Sequence, residues 1–255
     1  MELKTSQHIS ETQGIERSKF FTIYKDCPIP DNEILSNLGL FLRRQLISKI
    51  LYMDELYKKI VNVPGVVIEF GTRWGQNLAL FESFRGLYEP FNQGREIIGF
   101  DTFSGFPTIG EKDGNNPIAT KGAFSVTDGY EKYLEQVLDY HEQEAPMAHI
   151  KKYKILKGDA PVVLNKFLTE HPETIIALAY FDFDLYEPTK NCIELIKNHV
   201  VKGSVLGFDE LHLKEFPGET IALREVLGLA SCRLVRSSYA GAYQSYMVID
   251  GDRNF

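Results

Sequence analysis

Residues 64–80 read PGVVIEFGTRWGQNLAL, and their order decides the fold. A Pro-Gly turn precedes an apolar run, the run ends on an acid and Phe70, a glycine turn follows, and a helical pattern begins at Gln76. A run this continuous is how a strand reads when both of its faces are buried. The same unit recurs downstream. Strand-like runs are predicted at 66–70, 97–101, 153–156, 175–182 and 204–209, with helical segments at 76–87, 160–169, 188–198 and 220–227 between them. Such alternation predicts an α/β fold with a doubly wound, mostly parallel sheet. The end departs from the pattern. Segments 233–236 and 245–249 are strand-like and are separated by the turn-rich SSYAGAY. A parallel crossover needs about a dozen residues, so this pair reads as an antiparallel hairpin closing a seven-stranded sheet.

Upstream, residues 1–30 are polar around an aromatic cluster, Phe20, Phe21 and Tyr24, and only partial order is expected. Pro30-Asp31 reads as a helix start with Asp31 as the cap. Leu42, Leu46, Ile50, Met53, Tyr57 and Ile60 recur every three or four residues, an apolar stripe facing the core or a partner chain. The predicted organisation is a helical extension over 1–62 and one domain over 63–255. Between Asp101 and Tyr153 lie 51 residues, too many for a plain connection. This insertion, about 103–150, reads as a lid with a mobile turn-rich stretch, GEKDGNNP, and a helix at 130–141.

Composition removes several classes. The 28 basic and 35 acidic residues give a net charge of −7, which disfavours a nucleic-acid partner. The longest apolar stretch, 175–181, is far short of the roughly 20 residues of a membrane span. The polar start, MELKTSQHISETQG, lacks the apolar core of a secretory signal. Cys27, Cys192 and Cys232 are too scattered for a disulfide framework or a thiolate zinc site. These features predict a soluble, cytoplasmic protein acting on a small molecule, with neither nucleic acid nor membrane as partner.

Ligands of open parallel sheets bind outside the carboxyl ends of the strands. Here each such end carries an acid: Glu69, Asp101, Asp159, Asp182 and Asp209. The first turn, E-x-G-x-x-x-G with Gly71 and Gly75, is neither a phosphate-cradling loop nor the dinucleotide G-x-G-x-x-G. Asp101, 30 residues after Gly71, is placed to accept from ribose hydroxyls. An acid for ribose without a phosphate cradle suits a nucleoside such as S-adenosylmethionine. At the fourth and fifth strands Asp182, Asp209 and Glu210 converge, and three carboxylates repel unless neutralised. A hard cation, Mg²⁺, is the natural neutraliser. His212 reads as a base, a ligand or a surface residue. A nicotinamide-dependent oxidoreductase would explain the first turn and Asp101, but neither the acidic cluster nor the hairpin. A cofactor-retaining protein without turnover is the non-enzymatic alternative.

The stretches GVVIEFGTRWGQNLALF, GFDTFSGFP, YFDFDLYEPT, GSVLGFDE and FPGETIALREVLG resemble the macrocin/mycinamicin O-methyltransferase family over roughly residues 35–250. These are class I, S-adenosylmethionine-dependent enzymes with a Rossmann-like sheet that methylate sugar hydroxyls. The resemblance implies a cofactor-binding set of Glu69, Gly71, Thr72, Arg73, Gly75, Asp101, Thr102, Phe103, Ser104, Gly158, Asp159 and Asp182. Within it Glu69, Gly71 and Gly75 line the methionine part, Asp101 binds ribose, and Gly158 and Asp159 flank adenine. It implies Mg²⁺ on Asp182, Asp209 and Glu210, where the family commonly has two aspartates in place of Asp209-Glu210. The general base is His212 or Asp184. A sugar or nucleotide-sugar acceptor and a homo-oligomer are also implied. A catechol or other small metabolite as acceptor would obey the same metal logic.

Overall fold

The structure is a computed structural model and describes residues 10–239 and 243–250. It forms two compact units, one up to Ile47 and one from Ser48 onward. The division falls inside the third helix, whose residues from Ser48 onward belong to the second unit.

In the first unit, α1 (Glu11–Lys25) starts in a region expected to be only partly ordered. Its start is a reciprocal cap, in which the Gln13 backbone N–H donates to Ser10 Oγ and the Ser10 N–H donates to Gln13 Oε1. Helix α2 (Asp31–Ile34) runs into a 3₁₀ turn over Leu35–Leu40. Asp31 is its first residue, not its cap; Pro30 holds that position without a side-chain bond. No residue of these three elements is buried. Phe41 packs against Tyr24 at 4.9 Å and Phe20 at 6.4 Å between ring centroids.

Helix α3 (Arg44–Ile60) crosses the boundary, and within the second unit it buries Tyr52, Met53, Leu56, Tyr57 and Ile60. The parallel strands follow as β1 (Val66–Phe70), β2 (Ile97–Asp101), β3 (Tyr153–Lys157), β4 (Ile176–Phe181) and β5 (Val200–Phe208). Between them lie α4 (Gln76–Tyr88), α5 (Tyr130–Glu144), α6 (Ala160–Glu170) and α7 (Tyr186–Ile196). Then come α8 (Gly218–Val226), β6 (Val235–Arg236) and β7 (Ser245–Val248). The spatial order is β3-β2-β1-β4-β5-β7-β6, with β7 antiparallel to both neighbours. The doubly wound sheet and its antiparallel end match the alternation of the sequence.

Side chains alternate across the sheet and feed two cores. Ile68, Phe70, Ile98 and Phe100 face α6, α7 and α8 through Leu164, Ile193 and Leu223. Val67, Ile97, Leu178 and Val205 face α3, α4 and α5 through Leu56, Phe81 and Leu138. A third, small cluster of Phe106, Leu185 and Phe216 pins the start of the insertion to the loops after β4 and β5. The stretch expected to be mobile is tied down as well. Asp113 is buried; its Oδ1 accepts from the Tyr186 N–H at 2.6 Å and its Oδ2 from the Gly110 N–H at 2.7 Å. No helix of the described residues is long and apolar enough to cross a membrane.

Candidate active site

The sheet order reverses between β1 and β4, so the crevice outside their carboxyl ends is the topological switch point. All five acidic strand ends lie along this edge. The loops after β1, β2, β4 and β5 each hold one non-glycine residue in left-handed backbone: Arg73 (φ 49°), Phe103 (φ 56°), Asp184 (φ 61°) and His212 (φ 58°). Such conformations persist only where surrounding contacts over-determine them, and they cluster at functional sites.

The cofactor candidates gather at the β1–β2–β3 side. Glu69 is buried; its Oε1 accepts from Asn77 Nδ2 at 2.7 Å, while its Oε2 has no partner. Burial pushes the Glu69 carboxyl well above its usual range. Thr72 Oγ1 is likewise buried and unpartnered. The two oxygens of Asp101 are engaged by backbone: Oδ2 accepts from the Arg73 N–H at 2.7 Å and Oδ1 from the Phe103 N–H at 2.5 Å. Asp101 thus clips the first loop to the second; burial raises its carboxyl and these two bonds oppose the rise. Thr102 Oγ1 donates to the Gly105 carbonyl and accepts from the Ser104 N–H, shaping that turn. The Gly158 N–H donates to the Asp101 carbonyl at 2.9 Å, bringing the third loop alongside, and Asp159 caps α6 in extended backbone.

Both glycines of the first turn are closely packed against protein. A Cβ on Gly71 (φ 84°) would lie 2.0 Å from the Asp182 carbonyl oxygen. One on Gly75 (φ 75°) would lie 2.3 Å from Leu134 Cδ1 of α5. The insertion is fixed here too, since Tyr130 Oη donates to the Trp74 carbonyl at 3.0 Å and the two rings meet edge-on.

The acidic candidates gather at β4 and β5. Adjacent pairing of these strands sets Asp182 beside Asp209. Lys49 of α3 stands between them, its Nζ 3.3 Å from Asp182 Oδ2 and 3.4 Å from Asp209 Oδ1. Asp209 Oδ1 also accepts from Tyr180 Oη and, at 3.4 Å, from Gln244 Nε2. Burial, then Asp209, pushes Asp182 up to about 7. Burial acts on Asp209 in the same direction, yet Lys49 and the bonds from Tyr180 and Gln244 hold it below the usual carboxylate range. Burial would lower the Lys49 ammonium, but Asp182 and Asp209 overcome it and keep the lysine charged. Asp184 and Glu210 are neighbours; burial raises both carboxyls, and Asp184 pushes Glu210 up further. Glu210 Oε2 is buried without a partner.

Glu219, in the first turn of α8, is fully buried under this cluster. Its Oε1 accepts from the Phe183 N–H at 3.2 Å and its Oε2 from the Glu210 N–H at 3.3 Å. It splints the loops that carry Asp182, Asp184 and Glu210. We expect Glu219→Ala to cost roughly 2–4 kcal/mol in denaturant unfolding, because two N–H groups lose their acceptor and a cavity opens; a loss below about 1 kcal/mol would mean the loops hold themselves. His212 is exposed; its N–H donates to Thr220 Oγ1 and its ring packs edge-on against Tyr243.

Three contributors escaped the sequence reading: Lys49, Glu219 and Tyr180. Lys49 had a signal, since it precedes Met53 by one helical turn and falls on the apolar stripe. Among the described residues, no three acidic, imidazole or thiol side chains form a ready metal cage. The donor chemistry nevertheless fits a hard cation: oxygen ligands only, an excess of acids, and one unpartnered carboxylate oxygen. The first loop fits a nucleoside cofactor in the same sense, with Glu69 Oε2 and Thr72 Oγ1 free to bond.

Neither the protein-family models nor the curated proteins return a match to the chain. Solved structures do. The crystal structure of CalS11, a calicheamicin methyltransferase, is 42% identical, with 99% of this chain and 98% of that chain covered and a TM-score of 0.92. The apo structure of CalS11, there described as a TDP-rhamnose 3'-O-methyltransferase of calicheamicin biosynthesis, is 39% identical over 99% of this chain and 100% of that one, with a TM-score of 0.84. The O-methyltransferase NovP, 18% identical over 80% of each chain with a TM-score of 0.57, shares the fold.

Proposed function

The chain belongs to the S-adenosylmethionine-dependent sugar O-methyltransferases, and from that premise we propose that it methylates a hydroxyl of a nucleotide-activated deoxyhexose with the help of Mg²⁺. The observation that carries the proposal is the match along nearly the whole chain to a TDP-rhamnose 3'-O-methyltransferase. The acid-rich edge at β4 and β5 supports it.

When bound, the cofactor offers a methyl on a sulfonium, and the cation lowers the pKa of an acceptor hydroxyl. The protein has to align the hydroxyl oxygen with the S–CH₃ axis and take its proton. In this reading Glu69, Thr72 and the Gly71–Gly75 turn hold the methionine end, Asp101 the ribose, and Gly158 and Asp159 the adenine. Asp182, Asp209 and Glu210 hold the cation and so orient the acceptor. Asp184 accepts the proton. It sits in the cluster against Glu210, and burial makes its carboxylate a stronger base than a solvated one, whereas the His212 ring is exposed against Tyr243.

The test is methyl transfer from labelled cofactor to TDP-rhamnose and related nucleotide sugars, with a catechol beside them. Labelled nucleotide sugar is the expected product; label in the catechol alone would overturn the sugar assignment. S-adenosylhomocysteine at about a hundred times its dissociation constant adds roughly 2.7 kcal/mol, a midpoint rise of roughly 5–10 °C at this size. Excess chelator should abolish transfer and leave that rise intact. Full turnover in chelator would remove Mg²⁺ from the mechanism.

A further inference from the structure

An ammonium stands where a cation shared by two carboxylates would stand. Lys49 Nζ lies 3.3 Å from Asp182 Oδ2 and 3.4 Å from Asp209 Oδ1. These are two of the three residues assigned to Mg²⁺ in the proposed function, and the role given to Lys49 rests on that reading. The root of the lysine is fixed, because α3 buries Tyr52, Met53 and Leu56 against the sheet. Its head hangs on a flexible four-carbon stem, and the side chain as a whole is 27% exposed, so it has somewhere to go. The third assigned ligand, Glu210, keeps a buried oxygen without a partner.

An ammonium and a divalent ion compete for the same two oxygens. Mg²⁺ sits about 2.0–2.1 Å from its ligands, so an ammonium left in place would face it at close range with like charge. Without any cation, Asp182 and Asp209 would repel across adjacent strands. We propose that Lys49 is the internal counter-ion of the metal-free enzyme: it keeps Asp182 and Asp209 assembled, and it yields its place when the divalent ion enters. Lys49 is thus a positioning residue that sets how tightly the site takes metal. A lysine that merely buttressed the ligands would act in the opposite direction.

The experiment is a Mn²⁺ titration of the full chain in chelator-stripped buffer, read by electron paramagnetic resonance, for wild type, Lys49→Met and Lys49→Arg. Methionine keeps most of the length and loses the charge; arginine keeps the charge. We expect Lys49→Met to bind Mn²⁺ at least tenfold more tightly than wild type and Lys49→Arg to bind no more tightly. In chelator Lys49→Met should unfold several degrees below wild type, and saturating Mg²⁺ should close the gap. Should Lys49→Met fail to fold, Lys49→Gln replaces it with the same expected direction. Equal or weaker Mn²⁺ binding by the uncharged variant, with wild type binding normally, overturns the counter-ion role and leaves the metal reading standing. Absence of binding by every variant overturns both.

Discussion

Asp182→Asn will cut methyl transfer by roughly three decades or more while S-adenosylhomocysteine still raises the thermal midpoint. The size follows from what one charge does at that position. Asp182 directly follows β4 at the switch point, its N–H donating to the Phe70 carbonyl at 3.0 Å, so asparagine changes the side chain without moving the backbone. The carboxylate anchors Lys49 and, in the proposed function, would hold the cation. Removing it takes away several kcal/mol of charge stabilisation, and proton removal worth about 10²–10⁴ suffers with it. Stability should move the other way. Asp182 is pushed up to about 7 by burial and by Asp209, so it is an unfavourable charge in the folded protein. We expect the unliganded variant to melt no lower than wild type, the usual opposition of activity and stability at a site of crowded like charges. Turnover within tenfold of wild type would take Asp182 out of the reaction.

Gly71→Ala should be the most damaging single change to the fold, at roughly 3–5 kcal/mol in equilibrium denaturation. Two effects add. At φ 84° an alanine pays for left-handed backbone. Its Cβ would also lie 2.0 Å from the Asp182 carbonyl oxygen, which is main chain and has no rotamer to yield. Relief requires β1 and β4 to part at the end where the site is built, so cofactor binding should fail together with stability. A loss under 1 kcal/mol with intact binding would show that the switch point is more pliant than its geometry.

These two residues also show what the sequence makes legible. All seven strands were readable, because buried strands announce themselves as apolar runs and a short turn-rich link allows only antiparallel pairing. The acids were readable for a topological reason: a parallel sheet delivers every strand end to one edge, so Asp182 and Asp209 could be placed without knowing any contact. What escaped was reach from outside the strand ends. Lys49 lies 133 residues before Asp182 and arrives from a helix whose stripe reads as plain core. A lysine on that stripe breaks the pattern, but pattern alone does not name the acids it meets. Glu219 was readable as a residue of a first helical turn; its two backbone bonds depend on how α8 is laid beneath the β4 and β5 loops. The role of Gly71 was legible only in part. Its freedom from a side chain was evident, whereas the atom needing that space belongs to the loop after β4, more than a hundred residues away.

The placement of β7 bears on how the molecule is made. It follows β6 in the chain yet lies between β5 and β6, pairing with both. During synthesis the outer edge of β5 stays unpaired until Ser245–Val248 has left the ribosome, and β6, two residues long, has nothing to join before then. A nascent chain therefore carries a long apolar strand with an open hydrogen-bonding edge from the moment β5 emerges until the last strand arrives. Closing that edge needs β7, and so does the bond from Tyr52, whose Oη donates to the Ser245 carbonyl at 2.8 Å.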